Sequence, residues 1–563
     1  MKKLSKVLSV ISVLILIGAA VSGCGRGSSA TEKIDETKTQ LYVAIFEGGT
    51  GDAWLKTLKA KFERAYADVS FENGKLGAQI IIDSSKNAGR TVLDYIAGDS
   101  NDVYFNEGIS LNTFASQKYV LPLDDICDEP LSDGKTIRSK LSSDQITNLT
   151  ALDGHIYGIP HYECYGGVNY DKDLFSSKRL YFAYDAENNG GEANEFIKKS
   201  SDARSCGPDG ARGTEDDGLP SSLEEFYLLM EKMVEMSIVP FVWTGKTSTY
   251  TEYLLNAFYA NWMGYEEFSE NFTFSGNTEI ISKATATTNG YTFETDRIDI
   301  QESNGYMLTK QTGRYYALEL LHKIMTNPAY YYSKSTQITF SHLDAQEAFV
   351  YSRLDTKMQP IAMLIDGSWW ENEASDPIAR TIKAYGSDAE NRNFGFMPLP
   401  VRVGGSVAEG GGKALTLFDH MGSYVIINAN TKNTPKETLA KQFVKYAYTD
   451  ENLQMFTTTS GTAKAVAYDL TAEQVSSLSP YSRSVWNLRN NPSVNIASAN
   501  SPNEMFINEE VALKLAWSSV IRNQNYLSPY SAFRDSKTAY DVFGGIYELT
   551  LSGWSDYGEY FKA

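Results

Sequence analysis

The sequence predicts an α/β fold arranged in two lobes. Short apolar runs alternate along the chain with segments whose apolar residues recur at helical spacing, which is the pattern of helices packed on a sheet. Without its first 23 residues the chain would keep about 540, more than one domain usually holds. We therefore expect two lobes, each with its own core.

The first elements show the alternation most clearly. Residues 41–46 form an apolar run that ends in Glu47 and a glycine-rich turn, with Asp52 near the start of the helix that follows. In that helix Trp54, Leu58 and Phe62 lie on one face. By the same reasoning we predict strands at 79–82, 102–105, 239–242 and 362–365, and a helix at 91–96.

The N-terminus predicts secretion. Lys2, Lys3 and Lys6 precede an apolar run over 7–18, so residues 1–23 are predicted to be a signal peptide. That run is shorter than the roughly 20 residues of a spanning helix. Residues 21–24 resemble a bacterial lipobox, which makes Cys24 the expected lipidation site and 24–39 a tether at the outer face of the cell membrane. The alternative is ordinary cleavage that leaves an unused thiol.

Composition excludes some functions. The chain has 51 Lys and Arg against 70 Asp and Glu, a net charge of -19, and so acidic a surface argues against nucleic acid as a partner. Three cysteines remain beside Cys24, too few for a disulfide scaffold. The 36 Tyr, 26 Phe and 8 Trp are too many to be core residues only, and tyrosine tolerates a half-exposed position.

Polar residues that follow predicted strands are the first candidates for ligand contacts. In open α/β sheets, ligands bind beyond the carboxyl ends of the strands. This rule points to Glu47 after the first strand, and to Asn106 and Glu107 after the strand over 102–105. The alternative for each is an exposed loop residue.

Several stretches together resemble one family. They are residues 102–105 with 119–123, 153–160, 170–175, 362–370, 398–400, 422–428 and 439–446. In this order and spacing they resemble the bacterial extracellular solute-binding proteins of ABC importers, of the carbohydrate type that includes the maltose-binding protein. The resemblance covers the mature chain except insertions near 180–220 and 265–310 and part of the last 60 residues.

The resemblance implies a two-lobed periplasmic-binding-protein-like fold with hinge strands and a ligand cleft between the lobes. The first crossing is expected near 160–166 and a return near 412–422. The N-terminal lobe would comprise 40–163 plus approximately 415–465, and the C-terminal lobe 164–414 plus approximately 466–563. It further implies a monomer, without catalysis, that captures an oligosaccharide by lobe closure and delivers it to ABC permease subunits.

Aromatic and polar side chains near the predicted cleft fit a sugar. Sugars present flat C–H faces to aromatic rings and hydroxyl groups to amides and carboxylates. Trp369 is the stacking residue that the resemblance implies, and Trp370 beside it is either a ligand contact or a core residue. The other candidates at strand ends and at the crossing are Trp243, Tyr250, Tyr162 and Asp366.

An acidic, glycine-rich loop covers 207–218. Asp209, Asp216 and Asp217 could surround a calcium ion, because hard cations take several oxygen ligands from a flexible loop. The alternative is a solvated turn, since Asp-Gly pairs are common in turns. No other cofactor is expected.

Two other functions stay open. A surface glycoside hydrolase would use paired carboxylates, but no spacing singles out a pair here. The five histidines include no pair at zinc-ligand spacing, and neither a Gly-x-Ser-x-Gly elbow nor a phosphate loop occurs. A binder of peptides or another small solute on the same scaffold is the second alternative, because a fold does not determine its ligand.

Overall fold

A computed structural model describes residues 33–84, 92, 95–107, 109, 111–184, 196–288, 290–386, 391–400, 415–419, 422–498 and 517–557. The predicted signal peptide, Cys24 and most of the tether lie outside these residues, as do residues 91, 93 and 94 of the helix predicted at 91–96. Within the described residues, no helix combines the length and the apolar character that crossing a membrane requires.

The first lobe is built on a five-stranded mixed sheet. Its strands, in spatial order, are β2 (Ala78–Asp83), β1 (Thr39–Ile45), β3 (Val103–Asn106), β12 (Tyr424–Ile427) and β4 (Ile159–Pro160). β1 pairs in parallel with both β2 and β3, whereas β12 runs antiparallel to β3 and β4. Asp102, which precedes β3, accepts hydrogen bonds from the amide of Tyr42 and from Lys436, so this buried carboxylate helps to join β1 and a covering helix to β3.

The second lobe is built on a four-stranded sheet. In spatial order its strands are β10 (Phe394–Met397), β5 (Gly166–Asp171), β9 (Ile361–Gly367) and β6 (Val239–Val242). β9 is buried at every position, as expected of a strand covered on both faces. The remaining strands form pairs: β7 (Gly276–Thr287) with β8 (Gly290–Ile300), β11 (Leu415–Asp419) with β13 (Val494–Ser498), and β14 (Ser519–Ile521) with β15 (Gln524–Tyr526).

Helices cover both sheets. In chain order they are α1 (Ala53–Ala65), α2 (Leu111–Ser116), α3 (Asp124–Asp128), α4 (Ser143–Leu149), α5 (Lys172–Lys178), α6 (Leu223–Glu235), α7 (Tyr250–Thr273), α8 (Thr312–Thr326), α9 (His342–Tyr351), α10 (Trp370–Glu373), α11 (Ser375–Tyr385), α12 (Pro435–Ala447), α13 (Asp450–Ser460), α14 (Ala472–Ser477), α15 (Pro480–Arg489), α16 (Pro529–Arg534) and α17 (Ala539–Tyr557). Several begin at a capping side chain, such as Asp171, whose carboxylate accepts a hydrogen bond from the amide of Leu174 at the start of α5.

The two-lobed α/β prediction is confirmed, and the chain crosses between lobes from β4 to β5. This segment lies within the predicted crossing at 160–166. The return passes between β11 and β12, close to the predicted 412–422, of which 412–414, 420 and 421 lie outside the described residues.

The predicted lobe boundaries differ from the structure near the C-terminus. Leu415, Leu417 and Phe418 pack in the second lobe because β11 pairs with β13, although 415–465 was assigned to the first. Conversely, Val466 and Trp486 pack in the first core. The region of the insertion predicted at 265–310 contains the long hairpin of β7 and β8.

Candidate functional site

The ends of β1, β3 and β9 meet where the two lobes touch. Trp369 follows β9 and is 3% exposed, and it packs within the first lobe's core although its own strand belongs to the second lobe. A methyl group added at Gly49, in the turn after β1, would lie 2.1 Å from Cβ of Trp369. Trp369 therefore lies directly against the first lobe.

A polar contact joins the lobes beside this tryptophan. The side-chain amide of Asn372 donates to the carbonyl oxygen of Gly49 at 2.5 Å and to that of Ser460 at 2.7 Å. Both acceptors belong to the first lobe and Asn372 to the second. The short helix α10 thus connects the turn after β1 with the end of α13.

Two half-buried tyrosines at the start of α7 continue the aromatic surface. The ring of Tyr253 meets Trp369 edge to face, with centroids 5.1 Å apart, and Tyr250 lies 5.1 Å from Tyr253. Tyr250 also stacks on the imidazole of His342, at the start of α9, at 5.7 Å. Three neighbouring rings with different orientations are suited to the faces of an extended ligand.

Glu107 brings a carboxylate from the first lobe to this surface. It accepts a hydrogen bond from the hydroxyl of Tyr162, which is buried at the crossing. Burial, and then the charges of Glu373 and Asp419, raise the pKa of Glu107 to about 8. This carboxyl group is therefore readily protonated near neutral pH.

Two carboxylates of the second lobe accept hydrogen bonds from the same side-chain amide. Nε2 of Gln346 donates to Oδ2 of Asp366 and to Oε2 of Glu373, each at 3.0 Å. Asp366 also accepts the amide of Gly367 at 2.8 Å. Burial raises the pKa of both carboxyl groups, and the charge of Glu373 adds to the shift at Asp366.

Of the residues predicted from the sequence, the structure brings Trp369, Tyr250, Tyr162, Glu107 and Asp366 to this junction. Asn106 ends β3, is 6% exposed, and its Oδ1 has no hydrogen-bond partner within the described ranges. Glu47 is half-buried at the turn after β1, where its carbonyl oxygen accepts the amides of Thr50 and Gly51.

Trp370 and Trp243 are buried inside the second lobe. Trp370 is fully buried, with ring contacts to Phe349, Phe394 and Tyr481. Trp243 is also fully buried and packs beside Tyr331. The structure thus places both indoles in the core of the second lobe, which is the alternative stated for Trp370, and a ligand contact of either stays a prediction.

Sequence reasoning missed Gln346, Glu373 and His342, and it did not select Tyr253. The first three lie on helices rather than at strand ends, and no local pattern distinguishes them from other helical polar residues. Tyr253 lies one helical turn after Tyr250, so the spacing of the two tyrosines on α7 was a usable signal.

The acidic loop is held by its own hydrogen bonds. Asp216 accepts the amide of Asp209 at 2.8 Å and the hydroxyl of Thr214 at 2.8 Å, and Asp217 accepts the amide of Gly213 at 2.8 Å. In the described part of the chain, no three His, Cys, Asp or Glu side chains are grouped so that they could hold a metal ion. The geometry favours a hydrogen-bonded turn, and calcium binding stays a prediction of the sequence alone.

A groove of about 830 Å³ lies on the other side of the crossing. Tyr162 faces Glu107, whereas the next residue, Glu163, lines this groove and forms an ion pair with Arg489. The groove lies between the lobes, and Tyr265 of α7 donates to Asp144 of α4 across it at 2.5 Å. The aromatic junction and the groove are therefore separate.

Comparisons with known proteins agree with this architecture. Residues 47–320 match the family model described as bacterial extracellular solute-binding protein. A solved structure of a chitin oligosaccharide binding protein has a TM-score of 0.54 at 14% identity, covering 92% of this chain and 99% of its own. The solute-binding protein RafE in complex with raffinose has a TM-score of 0.52 at 14% identity, covering 91% and 100%. No curated protein matches the sequence.

Proposed function

Since this chain belongs to the bacterial extracellular solute-binding protein family over residues 47–320, we propose that it captures an oligosaccharide between its lobes and delivers it to an ABC importer. The observation that carries the proposal is the interlobe surface of Trp369, Tyr250 and Tyr253 beside the carboxylates of Glu107 and Asp366. Aromatic faces next to hydrogen-bonding groups are what a sugar requires.

The mechanism is capture by hinge closure. Trp369 belongs by sequence to the second lobe and touches Gly49 of the first, so a ligand at this junction contacts both lobes in the closed state only. Such a ligand binds the closed state more tightly than the open state and therefore shifts the population toward it. The raffinose and chitin oligosaccharide binders of similar fold support a saccharide as the ligand class.

Anchoring at the membrane is part of the same proposal. The family is extracytoplasmic, and the lipobox-like residues 21–24 support lipidation of Cys24. In a bacterial host fed labelled fatty acid, the full chain should take up label, whereas the Cys24→Ser variant should not.

Calorimetry of the mature chain against a panel of oligosaccharides tests capture. Saturable binding, with the sugar recovered intact by chromatography, supports transport without catalysis. Release of shorter sugars would instead favour a glycoside hydrolase. Binding of peptides alone would overturn the saccharide assignment.

A further inference from the structure

Three carboxylates from both lobes lie near the same two tyrosines. The charges of Glu107, Asp366 and Glu373 all act on Tyr250 and Tyr253. Glu107 belongs to the first lobe, and the other two belong to the second. Across the described ranges, none of the three pairs with a lysine or an arginine. The junction therefore gathers three carboxyl groups without a protein counter-charge.

Several other buried carboxylates in this chain have cationic partners, although Glu252 and Asp216 have none within the described ranges. Asp171 pairs with Arg392 at 2.6 Å, Asp102 with Lys436 at 2.9 Å, and Glu163 with Arg489. Burial of a charge is costly unless it is paired and hydrogen-bonded. The three carboxylates at the junction differ from these pairs because they lie together and have no cationic partner among the described residues.

A buried amide oxygen at the same place lacks a hydrogen-bond donor. Gln346 is fully buried. Its Nε2 donates hydrogen bonds to Asp366 and Glu373, and these two bonds hold the amide among the carboxylates. Its Oε1 has no hydrogen-bond partner among the described residues. Oδ1 of Asn106, the residue before Glu107, also has no hydrogen-bond partner among the described residues. Both atoms accept hydrogen bonds, so the missing groups are donors.

We infer that the ligand is an amine-bearing saccharide, an oligomer with unacetylated amino groups. Its ammonium group would lie among Glu107, Asp366 and Glu373 and donate to these oxygens and to Oε1 of Gln346. The rings of Trp369 and Tyr253 would contact the sugar faces, and aromatic faces also attract cations. This inference rests on the proposed function, which it narrows from any oligosaccharide to a cationic one.

The arrangement also gives the closure mechanism a charge dependence. When Glu107 and Glu373 are both ionised, their like charges repel across the junction and oppose closure of the empty protein, and protonation relieves this repulsion. An ammonium group between them replaces this repulsion with two attractions. The ligand's charge thereby supplies affinity specific to the closed state.

Calorimetry of the mature chain with matched probes tests the inference. The probes are glucosamine and galactosamine oligomers and the N-acetylated oligomers of the same lengths. We expect one free-amine oligomer to bind at least about tenfold more tightly than its acetylated form, a difference of ~1.4 kcal/mol. Glu373→Gln should narrow this ratio, whereas Glu473→Gln, at an exposed position on α14, should preserve it.

A second measurement needs no variant and so does not depend on folding of Glu373→Gln. Added salt should weaken binding of the free-amine oligomer and leave any binding of the acetylated one unchanged. Equal affinities, or tighter binding of acetylated or neutral sugars, would overturn the inference and leave the proposed function standing. Binding of no saccharide, or of a linear polyamine such as spermidine alone, would overturn both.

Discussion

Trp369 lies so close to Gly49 that only a glycine fits between the lobes at this point. A methyl group there would be 2.1 Å from Cβ of Trp369 and 3.1 Å from its Cα, so the backbone itself would have to move. The loop after β1 thus packs directly against Trp369. The contact makes the closed state depend on the size of one residue in the opposite lobe.

Gly49→Ala is expected to hold the lobes apart and to weaken ligand binding by about 1–3 kcal/mol, the usual cost of overpacking a close contact. Calorimetry with a glucosamine or galactosamine oligomer that binds the wild type measures the loss. Gly98→Ala is the matched control, because an added methyl group at Gly98 meets no atom within 4 Å. Equal affinity of the two variants would contradict closure through this contact.

Substitution of the two adjacent tryptophans should have different effects, one on ligand affinity and the other on folding stability. Trp369→Ala should cost about 1–3 kcal/mol of affinity, because it removes a ring at the ligand surface. Trp370→Ala should instead cost about 3–5 kcal/mol of folding stability, because Trp370 is fully buried among Phe349, Phe394 and Tyr481. Calorimetry measures the affinity of both variants, and denaturant unfolding measures their stability. A loss of affinity from Trp370→Ala with a loss of stability alone from Trp369→Ala would contradict this prediction.

The same pair illustrates what the sequence could predict. Strand ends and alternation placed Glu107 and Asp366 at the junction, because carboxyl ends of neighbouring strands meet at one edge of a sheet. Local pattern does not reveal which of two successive indoles packs against the first lobe and which is buried inside the second. That depends on the turn between β9 and α10, and the resemblance to the family singled out Trp369.

Other site residues depend on tertiary packing that leaves no local trace. Gln346 and Glu373 lie on α9 and α10, and they meet Asp366 only because these helices pack beside the end of β9. Trp243 follows a strand as a ligand residue would, yet the segment that carries Tyr331 and Ser335 covers it. Strand-end reasoning could not foresee either arrangement.

The buried ion pair of Glu163 and Arg489 should contribute to stability at the crossing. Arg489 also donates to the carbonyl oxygens of Lys464 and Val466 at 3.1 and 3.0 Å. Arg489→Met should lower the unfolding free energy by about 3–5 kcal/mol, because it leaves a buried carboxylate unpaired. Lys61→Met, which removes a pair with the exposed Glu451, should cost less than about 1 kcal/mol. Equal shifts in denaturant midpoint would contradict this difference.

Stability of the ligand-free protein should fall as the pH rises. The pKa of Glu107 is raised from 4.5 to about 8 by burial and neighbouring charges, so the native state binds a proton that the unfolded state releases. Its contribution is complete below pH 4.5 and is lost as the pH rises through about 8. The pKa values of Glu252 and Asp216 are also raised to about 8, so the stability that each contributes likewise falls as the pH rises.

Glu107→Gln should therefore flatten only part of the pH dependence, since glutamine resembles the protonated acid and does not titrate. Melting temperatures of the wild type and the variant, measured from pH about 4.5 to about 8, provide the comparison. The two curves should lie close together at the acid end and separate toward pH 8, with the variant more stable there. If they run parallel throughout, Glu107 is ionised in the native state over this range, and the lobes close without a proton at this carboxylate.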